Sequence, residues 1–355
     1  MSILSFKVFP KNCLGIDIGT SSVKIVEVSR VGSRIKLENY GELTVLSMYE
    51  NIFRTFNRNI LSLSSFDVAK AIKAIIEEAG IRSKNAAFSI PNFSTFFTNF
   101  ELPPMSEEEL PEAVRFEARQ HIPLPLGEVT LDWQIIGRKM LDAKSAKFQI
   151  LMAAVPNEVI QQYQEIIELT GLKFHFLEAE AFALVRSLIQ DEKKLIIIVD
   201  IGALNTAISI VDKKILQLSH SIDISGGELT QVLAKSLDIN YKEAEKLKMT
   251  EGIFPPDKRV AKILSPLVDL IVSETGKVIT NYENLEGKEI EEMIITGGSA
   301  NLPGLKDFFA SRFKKNIVIA NPFTPLFYPP ILEGALKEMG PSFAVAVGIG
   351  ERGLE

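Results

Sequence analysis

The sequence predicts an α/β protein with two lobes, and three observations carry that prediction. Asp17-Ile18-Gly19-Thr20 returns, altered, as Asp200-Ile201-Gly202-Ala203; each copy ends an apolar strand and leads into a second β-rich run. A third apolar strand, Ile294-Ile295-Thr296, runs into Gly297-Gly298-Ser299-Ala300. The chain of 355 residues also exceeds what one hydrophobic core ordinarily serves.

The repeated turn suits phosphate. Glycine lets several backbone N–H groups approach one anion closely. An aspartate at the strand end can hold hydrated Mg²⁺, which takes one or two carboxylates beside phosphate oxygens. A single Asp-Ile-Gly reads as an ordinary hairpin turn. Two copies, with acid, glycine and hydroxyls in matching places, point instead to a nucleotide clamped from both sides, with Asp17 and Asp200 as magnesium-water ligands. The double glycine Gly297-Gly298, with Ala300, offers flat backbone against which an adenine or ribose could lie.

The elements follow in order. Residues 14–44 read as three strands and Asp67 to Ala79 as a helix with Val68, Ile72, Ile75 and Ile76 on one stripe. Strands are expected at 85–91 and 94–102. Ser106 and Glu109 form an S-x-x-E capping box for a helix reaching His121. Two strands follow near 129–136 and 148–155, then a helix over 157–169 closed by Gly171, a short strand to Leu177 and a helix over 178–188. The second half opens at Lys194; residues 241–290 are almost wholly helical, and 341–350 form a last helix of small residues.

Composition narrows the class. Hydrophobic content of 46% with 24% charged residues is ordinary for a soluble globular protein. The net charge of −6, with no basic block, speaks against nucleic acid as partner. The one cysteine, Cys13, excludes an internal disulfide framework, fits a reducing compartment and reads as a packing residue. No apolar run is long enough to span a bilayer, and the short apolar start, Met1 to Pro10, reads as a packed or frayed terminus. His121, His175 and His220 show no metal-ligand spacing.

The motif order resembles the actin, heat-shock-protein and sugar-kinase superfamily. Three stretches sharpen the resemblance: Leu14 to Lys24, His121-Ile122-Pro123-Leu124-Pro125, and Ala346-Val347-Gly348-Ile349-Gly350. With these the chain is similar to the PilM family of type IV pilus assembly proteins, with FtsA cell-division proteins as more distant relatives. The resemblance implies a two-lobed actin-like ATPase fold with an inserted SHS2-type (1C) subdomain. Residues 1–82 and 155–193 would form lobe I (1A), 83–154 the insert, 194–229 and 291–340 lobe II (2A), 230–290 a helical subdomain (2B), and 341–355 a return to lobe I. It also implies ATP and Mg²⁺ in the cleft, and a PilN-like inner-membrane protein as partner. That partner's cytoplasmic N-terminal peptide would lie between lobe I and the insert and hold a cytoplasmic protein at the membrane. The alternatives are an FtsA-like adaptor and a small-molecule kinase; the bare C-terminus counts against the first, and the lack of an evident general base against the second.

Within this frame Thr20, Ser21 and Ser22 would donate to phosphate and Lys24 would neutralise its charge; an exposed strand lysine is the plain alternative. In the second loop Gly202, Asn205 and Thr206 keep that character, but Ala203 and Leu204 leave more of the contact to backbone amides. Glu178, expected to open the first connecting helix, takes the place of an acid that orients attacking water in relatives; Glu180 beside it leaves the choice open. Glu245 and Lys248 share a helical face, and the resemblance assigns them to ribose and adenine. Phe93, Phe96, Phe97 and Phe100 read as core, though their number in so short a strand leaves room for a partner groove.

Overall fold

Two sheets of the same topology form the lobes of the computed structural model, which describes residues 10–44, 56–57, 60–61, 64–140, 146–256 and 258–355. Residues Met1 to Phe9, read above as a packed or frayed terminus, lie outside the described residues. In lobe I, β1 (Asn12–Ile18), β2 (Ser22–Val31) and β3 (Arg34–Thr44) are antiparallel neighbours. After a two-residue pair, β4 (Phe56–Asn57) and β5 (Ile60–Leu61), the strands β6 (Asn85–Ile90) and β10 (Lys173–Ala179) run parallel to β1. The order is β10-β6-β1-β2-β3.

Alternation along β1 explains the layering. Leu14, Ile16 and Ile18 face α1 (Ser65–Glu78) and α3 (Asn157–Thr170), where they pack with Val68, Ile72, Val159 and Tyr163. Both helices have local reasons to start or stop: the Asp67 N–H donates to Ser64 Oγ at 3.1 Å, and Gly171 caps α3 with φ 71°. Cys13 and the alternate residues of β2 face α4 (Glu180–Leu188) and α9 (Glu333–Arg352). A Cβ on Gly15 would stand 2.0 Å from the Ala346 carbonyl, so glycine is what lets α9 lie on the sheet.

Lobe II repeats the plan as β13-β12-β11-β14-β15: β11 (Leu195–Ile201), β12 (Thr206–Asp212), β13 (Ile215–Ile222), β14 (Glu292–Thr296) and β15 (Asn316–Ile319). The helices α5 (Gly226–Leu237), α6 (Tyr241–Glu251) and α7 (Arg259–Glu286) share one core with this sheet, and α8 (Leu305–Arg312) covers it further on. α5 runs unbroken across the boundary expected at residues 229 and 230. α9 carries the chain back to lobe I; it begins at Glu333, earlier than expected, with Pro341 inside it.

The inserted body is smaller than expected. It consists of β7 (Phe96–Leu102), α2 (Leu110–His121), β8 (Val129–Met140) and β9 (Ala146–Pro156), in sheet order β7-β9-β8 with a core of its own. β6, placed in the insert by the sequence reading, is instead an inner strand of lobe I, because Leu14 to Ile16 pair with Ala86 to Phe88. The capping box is also incomplete. The Ser106 N–H donates to Glu109 Oε2, but the helix proper begins at Leu110, with Pro111 in its first turn.

Candidate nucleotide site

The ends of β1, β11 and β14 converge on one cleft between the lobes. Asp17 is the register partner of Lys24 across the first hairpin. Ser89 Oγ donates to Asp17 Oδ1 at 2.8 Å, while Lys24 Nζ donates to Ser22 Oγ at 2.6 Å and pairs with Glu42 Oε1 at 3.4 Å. Asp200, facing from lobe II, lies between Ala207 on β12 and Thr296 on β14. Glu180, at the start of α4, completes the set and accepts the Asn92 N–H at 2.9 Å.

These carboxyls are electrostatically unsatisfied. Burial raises the Asp17 pKa, with Lys24 and Ser89 opposing. Burial and then the charge of Asp17 push Asp200 up to about 7. Burial, Asp17 and Asp200 hold Glu180 well above the usual carboxyl range. Three acids from two lobes, with Lys24 the nearest cation, leave a site that a divalent cation would complete. Among the described residues no three His, Cys, Asp or Glu side chains stand close enough to hold a bare ion. Two carboxylates at facing strand ends, Asp17 and Asp200, are a donor set that would suit hydrated Mg²⁺ held through water.

The other wall is built by small residues and one buried lysine. Lys248 is 2% exposed; its Nζ donates to Gly226 O at 3.0 Å and Thr230 Oγ1 at 2.9 Å and pairs with Glu245 Oε2 at 2.8 Å. Burial lowers its pKa against the pull of Glu245. Gly297 has φ 91°, and a Cβ there would meet Asp200 Oδ1 at 2.5 Å, so the turn admits only glycine. Gly298 instead borders open space.

Most sequence-predicted residues line this cleft: Asp17, Gly19, Thr20, Ser21, Ser22 and Lys24 from the first hairpin, and Asp200, Gly202 and Asn205 from the second. Glu245, Lys248, Gly297 and Gly298 join them. Three do not. Thr206 is fully buried and donates its hydroxyl to Ile224 O at 2.7 Å. Ala300 packs in the core of lobe II. Glu178 lies on β10, not at a helix start, where Arg186 grips it with bonds of 2.6 and 2.9 Å. The strand runs two residues further than expected, so Glu180 is the acid delivered to the cleft.

The structure adds Glu42, Gly226, Gly227, Tyr241 and Ser299 to the lining. Of these, Ser299 belongs to the third glycine-rich stretch, and Gly226 and Gly227 open α5.

The phenylalanines divide. Phe93 lines the nucleotide cleft, Phe96 and Phe100 pack into the core of the insert, and Phe97 meets Phe182 edge-on at 6.0 Å. They do not form one groove. A cavity of about 1040 Å³ does lie between lobe I and the insert, lined by Thr130, Leu131 and Gln134 on β8 and by Phe174, Phe176 and Phe182.

The family model described as type IV pilus assembly protein PilM matches residues 15–354. The chain belongs to that family. A chain of the solved PilM–PilN type IV pilus biogenesis complex superposes with a TM-score of 0.84 at 24% identity, over 97% of this chain and 98% of that one. MreB5 of Spiroplasma citri bound to ADP superposes with a TM-score of 0.53 at 13% identity, over 95% and 94%. The cell division protein FtsA of Enterococcus hirae is 23% identical over 351 residues, 87% of this chain and 78% of that protein. The fold is thus the two-lobed actin-like one, and the family membership rests on the PilM match along nearly the whole chain. Among the described residues no helix is long and apolar enough to cross a membrane.

Proposed function

We propose that this PilM-family chain binds ATP with Mg²⁺ between its lobes and uses it mainly as a clamp that sets the lobe angle. The convergence of Asp17, Asp200 and Glu180 on one cleft carries this reading. The bound metal supplies positive charge to the phosphates. Lys24 and the hydroxyls of Thr20, Ser21 and Ser22 hold the phosphate end, while Glu245, Lys248 and the Gly297-Gly298 turn hold the nucleoside. Ala203 and Leu204 offer no polar side chain to the second phosphate loop, so hydrolysis is slow. The partner is the cytoplasmic N-terminal peptide of a PilN-like inner-membrane protein, seated in the cavity between β8 and β10; it holds the chain at the inner face of the cytoplasmic membrane. The likeness to a chain of the solved PilM–PilN complex supports this partner.

A thermal melt tests the cleft. ATP with Mg²⁺ raises the melting temperature by mass action. Asp17→Ala and Gly298→Trp each abolish the shift, the latter filling space that is open in this structure. Both variants keeping the wild-type shift would overturn the assignment, and turnover near ~10 s⁻¹, typical of enzymes, would overturn the clamp. For the groove, Phe176→Asp abolishes binding of the partner's N-terminal peptide while sparing the ATP shift. Deleting residues 83–154 is no clean test, because it removes β6 from lobe I.

A further inference from the structure

Each of the five strands of lobe I places a basic residue at the same end of the sheet. In sheet order these are Lys173 on β10, Lys84 just before β6, Lys11 just before β1, Arg30 near the end of β2 and Arg34 opening β3. The register holds them in line. The Lys173 N–H donates to Lys84 O at 2.7 Å, the Arg30 N–H donates to Lys11 O at 3.0 Å, and Arg34 pairs with Val31, next to Arg30. Arg82 adds a sixth cation, and all six residues are exposed. At a strand spacing of ~4.8 Å the row spans about 19 Å. It lies at the opposite end of the sheet from Asp17, so nucleotide cannot be its ligand.

The row is largely uncompensated. Among the described residues none of the six forms an ion pair, although Arg30 donates to the Leu354 carbonyl at 2.9 Å. The acids beside it have partners outside the row: Glu27, buried beneath it, accepts from the Ser83 N–H and Asn39 Nδ2, Glu38 is engaged by Lys36 and Ser29, and Glu355 pairs with Arg352 and Arg186. A net charge of −6 does not cancel such a row, because charges beyond about 10 Å are screened at ~0.1 M salt.

We infer that this end of lobe I binds an anionic lipid surface directly. Lipid is favoured over nucleic acid because exposed apolar side chains stand at the same end of the sheet as the cations: Val31, 58% exposed, pairs with Arg34, and Phe174, 45% exposed at the rim of the second cavity, follows Lys173. Basic and apolar groups at one end of the sheet suit the headgroup boundary of a bilayer. The inference does not depend on the nucleotide or peptide readings.

Co-sedimentation of the full chain, without any partner, with phosphatidylcholine vesicles with or without phosphatidylglycerol tests it. The protein pellets with the anionic vesicles at ~0.05 M salt and is released at ~0.5 M. Replacing Lys11, Lys84 and Lys173 together by alanine weakens binding by about a hundred-fold, at roughly five-fold per cation. The same triple variant keeps the wild-type circular dichroism spectrum and melting temperature, which shows that it is folded. Lys306→Ala with Lys314→Ala, exposed lysines of lobe II, changes nothing. Failure of the wild type to pellet at low salt, equal pelleting with neutral vesicles, or undiminished binding by the triple variant would overturn the inference. Tighter binding to duplex DNA than to vesicles at the same salt would overturn it too, and would assign the row to nucleic acid.

Discussion

Asn92 and Glu180 clasp each other: the Asn92 N–H donates to Glu180 Oε2 at 2.9 Å, and the neighbouring Ala181 N–H donates back to Asn92 Oδ1 at 3.0 Å. The pair ties the root of the insert to the first turn of α4. Glu180 borders the nucleotide cleft, while Ala179 and Phe182 on either side of it border the second cavity. One turn of backbone therefore separates the two candidate sites.

Asn92→Ala should destabilise the protein by about 1–3 kcal/mol, because it strands the buried Ala181 N–H without an acceptor. Urea unfolding followed by circular dichroism measures this. A midpoint unchanged from wild type would mean that the clasp is not maintained in solution.

The acids in the cleft make stability depend on pH in a defined direction. Asp200 stands at about 7, far above its ordinary value, so the folded chain holds this proton where the unfolded chain has lost it. The stability tied to Asp200 is thus fully present below the ordinary aspartate range and is lost as pH rises through about 7. Asp200→Asn escapes that loss. Its nucleotide-free form should gain stability relative to wild type between about pH 4 and 7 and level off above. A difference that stays flat across this window, measured by denaturant midpoints, would contradict the burial of Asp200.

The junction of α4 and α9 depends on close helix packing. A Cβ on Gly348 would stand 2.0 Å from the Ala183 carbonyl, so Gly348→Ala must push α9 away from α4. The expected loss is about 1–3 kcal/mol or more. Gly334→Ala, in the same helix but with open space around it, should be neutral or gain up to about 1 kcal/mol. Equal melting temperatures for the two variants would show that the α4–α9 contact is not tight.

The sequence by itself determined what short-range order can write. Apolar runs, alternation and glycine turns located β1, β2, β3, β6 and β10 and, in lobe II, β11, β12 and β14 but not β13 or β15; the repeated Asp-Ile-Gly, read with the double glycine at Gly297-Gly298, indicated a nucleotide cleft. It also placed Asp17, Lys24, Asp200 and Lys248 on the right elements. What depends on pairing between distant segments was decided only by the tertiary structure. β6 belongs to lobe I because β1 binds it, a fact that no local pattern in Asn85 to Ile90 records. Glu180 replaced Glu178 because strand β10 ends two residues later than expected, and a shift of two residues turns the helix start by more than half a turn. Thr206 looked like a phosphate donor until the Ile224 carbonyl took its hydroxyl. The cations at Lys11, Arg30, Arg34, Arg82, Lys84 and Lys173 are scattered along the chain and make no basic block in it. Parallel and antiparallel register bring them to one edge, because hydrogen-bonded strands align their ends whatever the length of chain between them.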